Sequence, residues 1–214
     1  MALAAGCSTL EKTPDLAVNP RLYTDVAYES AAPGDVEVFV APTVDQRDGA
    51  ALPTHDHGYP IRYGGDDFWQ RPVAVMVGEV LHRQLQQSRI FEALVDRAGP
   101  DCAVLKPSLV TFTVGAQEGM AGSMTFAEVG LRVVVLGPAG ADGARPLWHD
   151  QVYGNRQRTE LQVNPASPYL LVGPALQVTM AGALSGLDGS NVARSDVPVD
   201  APLLGERAAA PVGR

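Results

Sequence analysis

The sequence predicts an α+β fold: a single, mostly antiparallel sheet of four to five strands with two helices packed on one face. Three observations lead there. Cys102–Val114, Met124–Leu136 and Leu147–Arg158 are successive strand-like runs, separated by the turn stretches Gly115–Ser123 and Gly137–Pro146, and so they read as an antiparallel meander. Val73, Met76, Val77, Val80, Leu81 and Leu85 recur at helical spacing, with Arg83, Gln84, Gln86 and Gln87 mostly off that stripe, the pattern of an amphipathic helix. Pro165–Leu187 is so rich in Leu, Val, Ala and Met that a helix there has little polar face.

Taken in order, Leu22, Tyr23, Val26 and Tyr28 suggest a short strand. Val36–Ala41 alternates apolar with mixed residues and stops at Pro42, which reads as a strand. Thr43–Tyr63 is a loop rich in Pro, Gly, Asp and His. Asp66 or Asp67 offers an N-cap, Pro72 fits the first turn of the helix, and the helix ends near Ser88. Ile90–Val95 is a short strand bounded by Gly99-Pro100, and Pro107 in the next strand suggests an edge or a bulge. Pro168 fits the first turn of the second helix. That helix is about as long as a membrane span, but Pro174, Gln177, Thr179 and its glycines favour a buried core helix. The folded body is expected over residues 36–187. Residues 188–214, with no aromatics and many Pro, Ala and Gly, read as a flexible C-terminal tail. The second face of the sheet is left to solvent, a loop, a partner or an apolar ligand.

Charge removes some functions. Acidic residues number 24 against 16 basic ones, a net charge of −8, with no basic stripe for nucleic acid and no polybasic patch for anionic headgroups. The two cysteines exclude a disulfide-rich scaffold and a Cys-built zinc site. His55 and His57 alternate as metal ligands do, but no third or fourth ligand is spaced to join them, and they read as part of a solvated loop. His149 and Asp150 face opposite sides of a strand, and no Gly-x-Ser-x-Gly supplies a partner serine, so His149 is expected to face solvent or polar neighbours. His82 reads as a surface residue, Asp66-Asp67 as capping acids, and Arg156 with Arg158 as exposed charge. No phosphate-cradling glycine motif occurs. The expectation is a chain with no catalytic residue, no metal and no cofactor.

The N-terminus reads Met1-Ala-Leu-Ala-Ala-Gly-Cys7-Ser8. Small residues just before a cysteine resemble the lipobox of bacterial lipoproteins. That resemblance implies an acylated Cys7, with residues 1–7 as the signal remnant, and sorting to the outer membrane. Residues 8–35, polar and Pro-bearing over Thr9–Pro20, read as a tether or N-terminal extension. An ordinary run of small residues that contains a cysteine is the competing reading. Two or more acyl chains suffice for stable anchoring, at about 0.8 kcal/mol per buried methylene.

The body carries Ile61-Arg62-Tyr63, then Phe68-Trp69 ahead of Pro72, Leu81 and Leu85, and Ser88-Arg89-Ile90-Phe91-Glu92-Ala93-Leu94-Val95. Asp101–Leu105, Val110-Thr111-Phe112, Leu131–Leu136 and Leu147-Trp148 follow. This series resembles the auxiliary lipoprotein component of bacterial ABC-type transport systems of the mammalian-cell-entry and paraquat-inducible kind. Arg89 stands where that family commonly has Gly. The resemblance implies a non-enzymatic periplasmic lipoprotein that helps an ABC-type transporter move lipid, with transporter or envelope proteins as partners. Tyr59, Tyr63, Phe68 and Trp69 are the candidate partner contacts, Trp69 also being a candidate for packing between helix and sheet. An outer-membrane assembly or structural lipoprotein of similar body and different partner is the alternative.

Overall fold

The computed structural model describes residues 15–47, 60–62, 69–119, 122–160 and 167–194. Its strands are β1 (Val38–Val40), β2 (Val44–Asp45), β3 (Pro60–Arg62), β4 (Leu94–Val95), β5 (Ala103–Gly119), β6 (Gly122–Leu136) and β7 (Leu147–Arg158). Helix α1 spans Val73–Ser88, and α2 spans Val172–Gly189 after a 3-10 turn at Pro168–Leu171. The predicted α+β class stands, but the sheet differs from the expected one in two ways. It has seven strands rather than four to five, and it is mixed: β1 runs parallel to both β4 and β5, and β2 runs parallel to β5. The cause is connectivity. Helix α1 lies between β1 and β4 in the chain and carries it back across the sheet face, the crossover that parallel neighbours require. The meander β5-β6-β7 is antiparallel throughout.

β5 organises the sheet. One of its edges pairs with β6 along its whole length. The other is shared in series by β1, β2 and β3. Ala103 donates to Glu37 O, Leu105 accepts from Ala41, and Leu109 accepts from Gln46. By that alternation Pro107 turns its missing N–H toward the gap between β1 and β2, where no strand needs it. A register shift between Leu109 and Thr111 then changes the parity of the strand. Ala103, Leu105 and Leu109 face the helices before the shift, and Phe112 and Val114 after it, opposite Val129 and Ala127 of β6.

The helices cover this one face. Val73, Met76, Val77, Val80, Leu81 and Leu85 of α1 are all at most 1% exposed, as the helical spacing predicts. Pro72 is itself the N-cap, with no side-chain cap bond, so it stands one position earlier than expected. Asp66 and Asp67 lie outside the described residues. In α2, Leu176, Met180, Leu184 and Leu187 are fully buried against the sheet, which is why an apolar helix of spanning length belongs to a core here. Pro174 is the third residue of α2, where its absent N–H has no intrahelical partner to lose. Gly186 gives way to Tyr153: a Cβ there would collide with the Tyr153 hydroxyl.

The N-terminal segment departs most from expectation. Residues 22–28 form no strand, and residues 15–35 are a strap rather than a tether. Leu16 is 1% and Tyr23 4% exposed. The strap lies in the groove between α1 and α2. Arg71 bonds Asp15 at 2.8 Å and Glu79 at 2.6 Å, and Arg83 grips Asp25 with two bonds of 2.7 Å and Ala17 O at 2.9 Å. Val26 N donates to Gln84 Oε1 at 3.1 Å, and Gln177 Nε2 donates to Thr24 O at 2.7 Å. At its end Tyr28 and Ser30 both donate to Asp188, which Arg194 also holds. Residues 188–194, expected to begin a flexible tail, close against this end, with Val192 and Ala193 buried and Ala193 O accepting from Asp35.

Two outcomes follow in urea unfolding. Arg89 caps α1 in the left-handed region, φ 57°, and its pair with Glu29 is exposed on both sides. Arg89→Gly therefore raises stability, by about 0.5–1 kcal/mol. A Cβ on Gly173 would meet the backbone carbonyl of Leu22, so Gly173→Ala displaces the strap and costs about 1–3 kcal/mol.

Candidate functional site

Six predicted site residues, Cys7, His55, His57, Tyr59, Tyr63 and Phe68, lie outside the described residues. Trp69 is described and is 6% exposed. Its ring meets Phe112 and Tyr169 edge-on, each at 5.8 Å. As a partner contact it is corrected: the indole is fixed between β5 and the 3-10 turn. His82 is exposed on α1. Arg156 lies over the Phe126 ring at 4.5 Å, on the sheet face away from the helices, and Arg158 is the cross-strand partner of Phe126. Arg132 grips Asp150 with bonds of 2.7 and 2.6 Å on that same face, and this partner holds the Asp150 carboxyl below its ordinary value.

His149 does face away from Asp150, as its strand position predicts, but into the core: it is 2% exposed. Nε2 meets the Tyr153 hydroxyl at 2.8 Å and Nδ1 meets Ser190 Oγ at 3.1 Å. The two rings are stacked. Strand alternation places residues 149 and 153 on one face. Ser190, just beyond the end of α2, has no local signal linking it to His149. Its hydroxyl donates to the helix carbonyls of Gly186 and Leu187, at 2.8 and 3.0 Å. That leaves Ser190 Oγ accepting from Nδ1–H, and Nε2 an acceptor facing the Tyr153 hydroxyl, which His149 shares with Gln151 Oε1 at 3.0 Å. A serine so committed is a helix cap and not a poised nucleophile. The ring bridges the end of α2 to β7. Burial pushes the His149 pKa down, opposed by Asp150, and burial pushes Tyr153 up to about 12.

The other titrating contacts belong to the strap. Burial raises the Asp15 carboxyl, yet Arg71 and the Ala17 N–H outweigh it and hold it below its usual range. Arg83 does the same for Asp25. Residues 15–35 are the part that sequence patterning missed: every clamp joins positions far apart in the chain, so no local periodicity marks it. Among the described residues no group of three or more His, Cys, Asp or Glu is placed to hold a metal.

Both helices start at one pole, where Trp69 meets Tyr169 and Arg71 meets Asp15. Both end at the other, where Ser30 joins Ser88 O and Asp188. At the second pole Arg145 donates to the carbonyls of Gly99, Cys102 and Gly137, closing the loop between β6 and β7 onto the turn before β5.

This arrangement is similar to that of solved structures. Protein XCC0632 from Xanthomonas campestris, of the DUF330 family, superposes with a TM-score of 0.50 at 15% identity, covering 78% of this chain and 94% of that one. The hypothetical protein CT253 from Chlamydia trachomatis gives 0.43 at 9% identity over 72% and 98% of the two chains. Lipoprotein GNA1162 from Neisseria meningitidis gives 0.23 at 16% identity over 63% and 90%. The first likeness shows a shared fold and nothing more. No protein-family model matches the chain, and no curated protein matches it.

The sign of the His149 effect is fixed by burial. Its folded pKa lies below its ordinary value, so below about pH 6.5 the unfolded chain binds a proton that the folded one refuses. Stability is therefore complete above that pH and declines as the pH falls toward the folded pKa. Urea unfolding between pH 5 and 8 should show this slope in the wild type and a shallower one in His149→Gln.

Proposed function

We propose that the chain is a lipid-anchored lipoprotein of a bacterial envelope, held through Cys7 on the outer membrane. Its body serves without catalysis, as an auxiliary component of an ABC-type lipid transporter. The observation that carries the reading is the Leu3-Ala-Ala-Gly-Cys7-Ser8 run ahead of a polar stretch. Support for a contact role comes from the polar clusters themselves: Arg71, Arg83, Asp188, His149 and Ser190 are engaged in holding helices, strap and sheet together. The transport part rests on the resemblance carried by Ile61–Tyr63, Phe68-Trp69 and Ser88–Val95. That the left-handed φ at Arg89 falls where the family commonly has Gly is consistent with it.

Cross-linking in native membranes followed by capture of the chain should recover a permease, its ATPase or a periplasmic subunit of the same transporter. Recovery of an assembly machine instead would favour the alternative envelope role. Expressed from its full gene in its host, the protein should sediment with membranes and give an N-terminal peptide bearing the mass of acyl chains on Cys7. Cys7→Ser should move nearly all of it to the soluble fraction.

A further inference from the structure

We infer that the pole where both helices begin is the surface that meets the lipid bilayer, because the strap leaves only a short leash between the anchor and that pole. The inference rests on the reading of Cys7 as the anchor. Had residues 8–35 been free, the leash would have been 28 residues long, or up to about 98 Å at ~3.5 Å per residue. The described chain instead begins its contacts at Asp15, which Arg71 holds at 2.8 Å just ahead of α1. Seven residues, 8–14, separate Cys7 from that clamp, a reach of at most about 28 Å. The body is longer than that: β5 alone, 17 residues from Ala103 to Gly119, runs about 56 Å. The leash is therefore shorter than the body it holds, and it leaves from one pole.

The surface chemistry of the two poles agrees with this direction. Among the described residues, three of the seven exposed large apolar side chains lie beside the leash exit, Val18 at 74%, Val75 at 46% and Leu170 at 56% exposed, against one at the opposite pole, Leu147 at the start of β7. Val18 follows the clamp, Val75 is in the first turn of α1, and Leu170 is in the 3-10 turn whose Tyr169 touches Trp69. They offer apolar contact at the interface. The opposite pole exposes Glu92, Asp96, Asp101 and Asp142 around the ends of β4, β5 and the β6–β7 loop, against Arg97 and, at the end of α1, Arg89 paired with Glu29. Carboxylates there are repelled by anionic headgroups. Helix α1, 16 residues long, alone separates the poles by about 24 Å.

The test uses the full chain on vesicles of phosphatidylethanolamine and phosphatidylglycerol containing a trace of rhodamine-labelled lipid. A fluorophore is placed by a genetically encoded click residue at Val18 or at Asp142, both exposed. Energy transfer to the bilayer should be at least twofold more efficient from position 18. Equal or reversed transfer would overturn the inference, since the body would then lie on its side or inverted. A twenty-residue Gly/Ser insertion between Thr13 and Pro14 should cut the transfer from position 18 by at least half. An unchanged value would mean that the leash does not set the geometry. Natural acylation is read separately, from the mass of the N-terminal peptide. If that fails, the same measurement on purified chain coupled at Cys7 to a maleimide lipid, with Cys102→Ala, still decides which pole faces the membrane.

Discussion

Two helices laid side by side on a sheet leave a groove along their outer surface, and in this protein filling that groove is what the rest depends on. Leu16 and Tyr23 bury apolar surface in it. Asp15 and Asp25 bring carboxylates to Arg71 and Arg83 of the α1 region, and Asp188 of α2 accepts from Tyr28 and Ser30. Surface ion pairs are individually weak. These are stronger in context because Arg83 meets its carboxylate through two bonds and lies beside buried apolar side chains. The strap ties the start of α1 to the end of α2, and so converts a two-layer body into three layers.

Sheet and helix stripe were legible in the sequence because they follow local rules. The α1 residues recur at helical spacing, and glycine marks both turns of the meander, but the first is tighter than the expected Gly115–Ser123: β5 runs to Gly119 and β6 starts at Gly122. The parallel pairs were not legible: a strand, a helix and a strand in succession allow a crossover without requiring it, and β1 and β4 are three and two residues long and leave little alternation to read. The strap was not legible. Residues 15–35 carry no period, and their order comes from partners 55 to 162 residues away. Parity put His149 and Asp150 on opposite sides of their strand, and the expected polar neighbours of His149 are Tyr153 and Ser190. The burial of His149 was not foreseen, because the cover comes from Ser190, 41 residues distant.

The same order bears on function. A lipoprotein body on a long leash samples every orientation; one on a short leash presents a chosen surface to whatever stands across the membrane. On the proposed anchoring at Cys7, the loop clamped by Arg145 and the acidic end of the body point away from the bilayer. The His149–Ser190 bridge holds the end of α2 at that far pole, and the Asp188 hub holds the end of the strap beside it.

Hydrogen exchange of the strap amides in the intact chain tests the third layer most directly. The N–H groups of Val26, Ser30 and Asp35, bonded to Gln84, Ser88 and Ala193, should exchange as slowly as amides within α1 and α2. Exchange at the rate of an unstructured peptide, with both helices still protected, would contradict the account: the groove would be open, and the leash would run to the sheet.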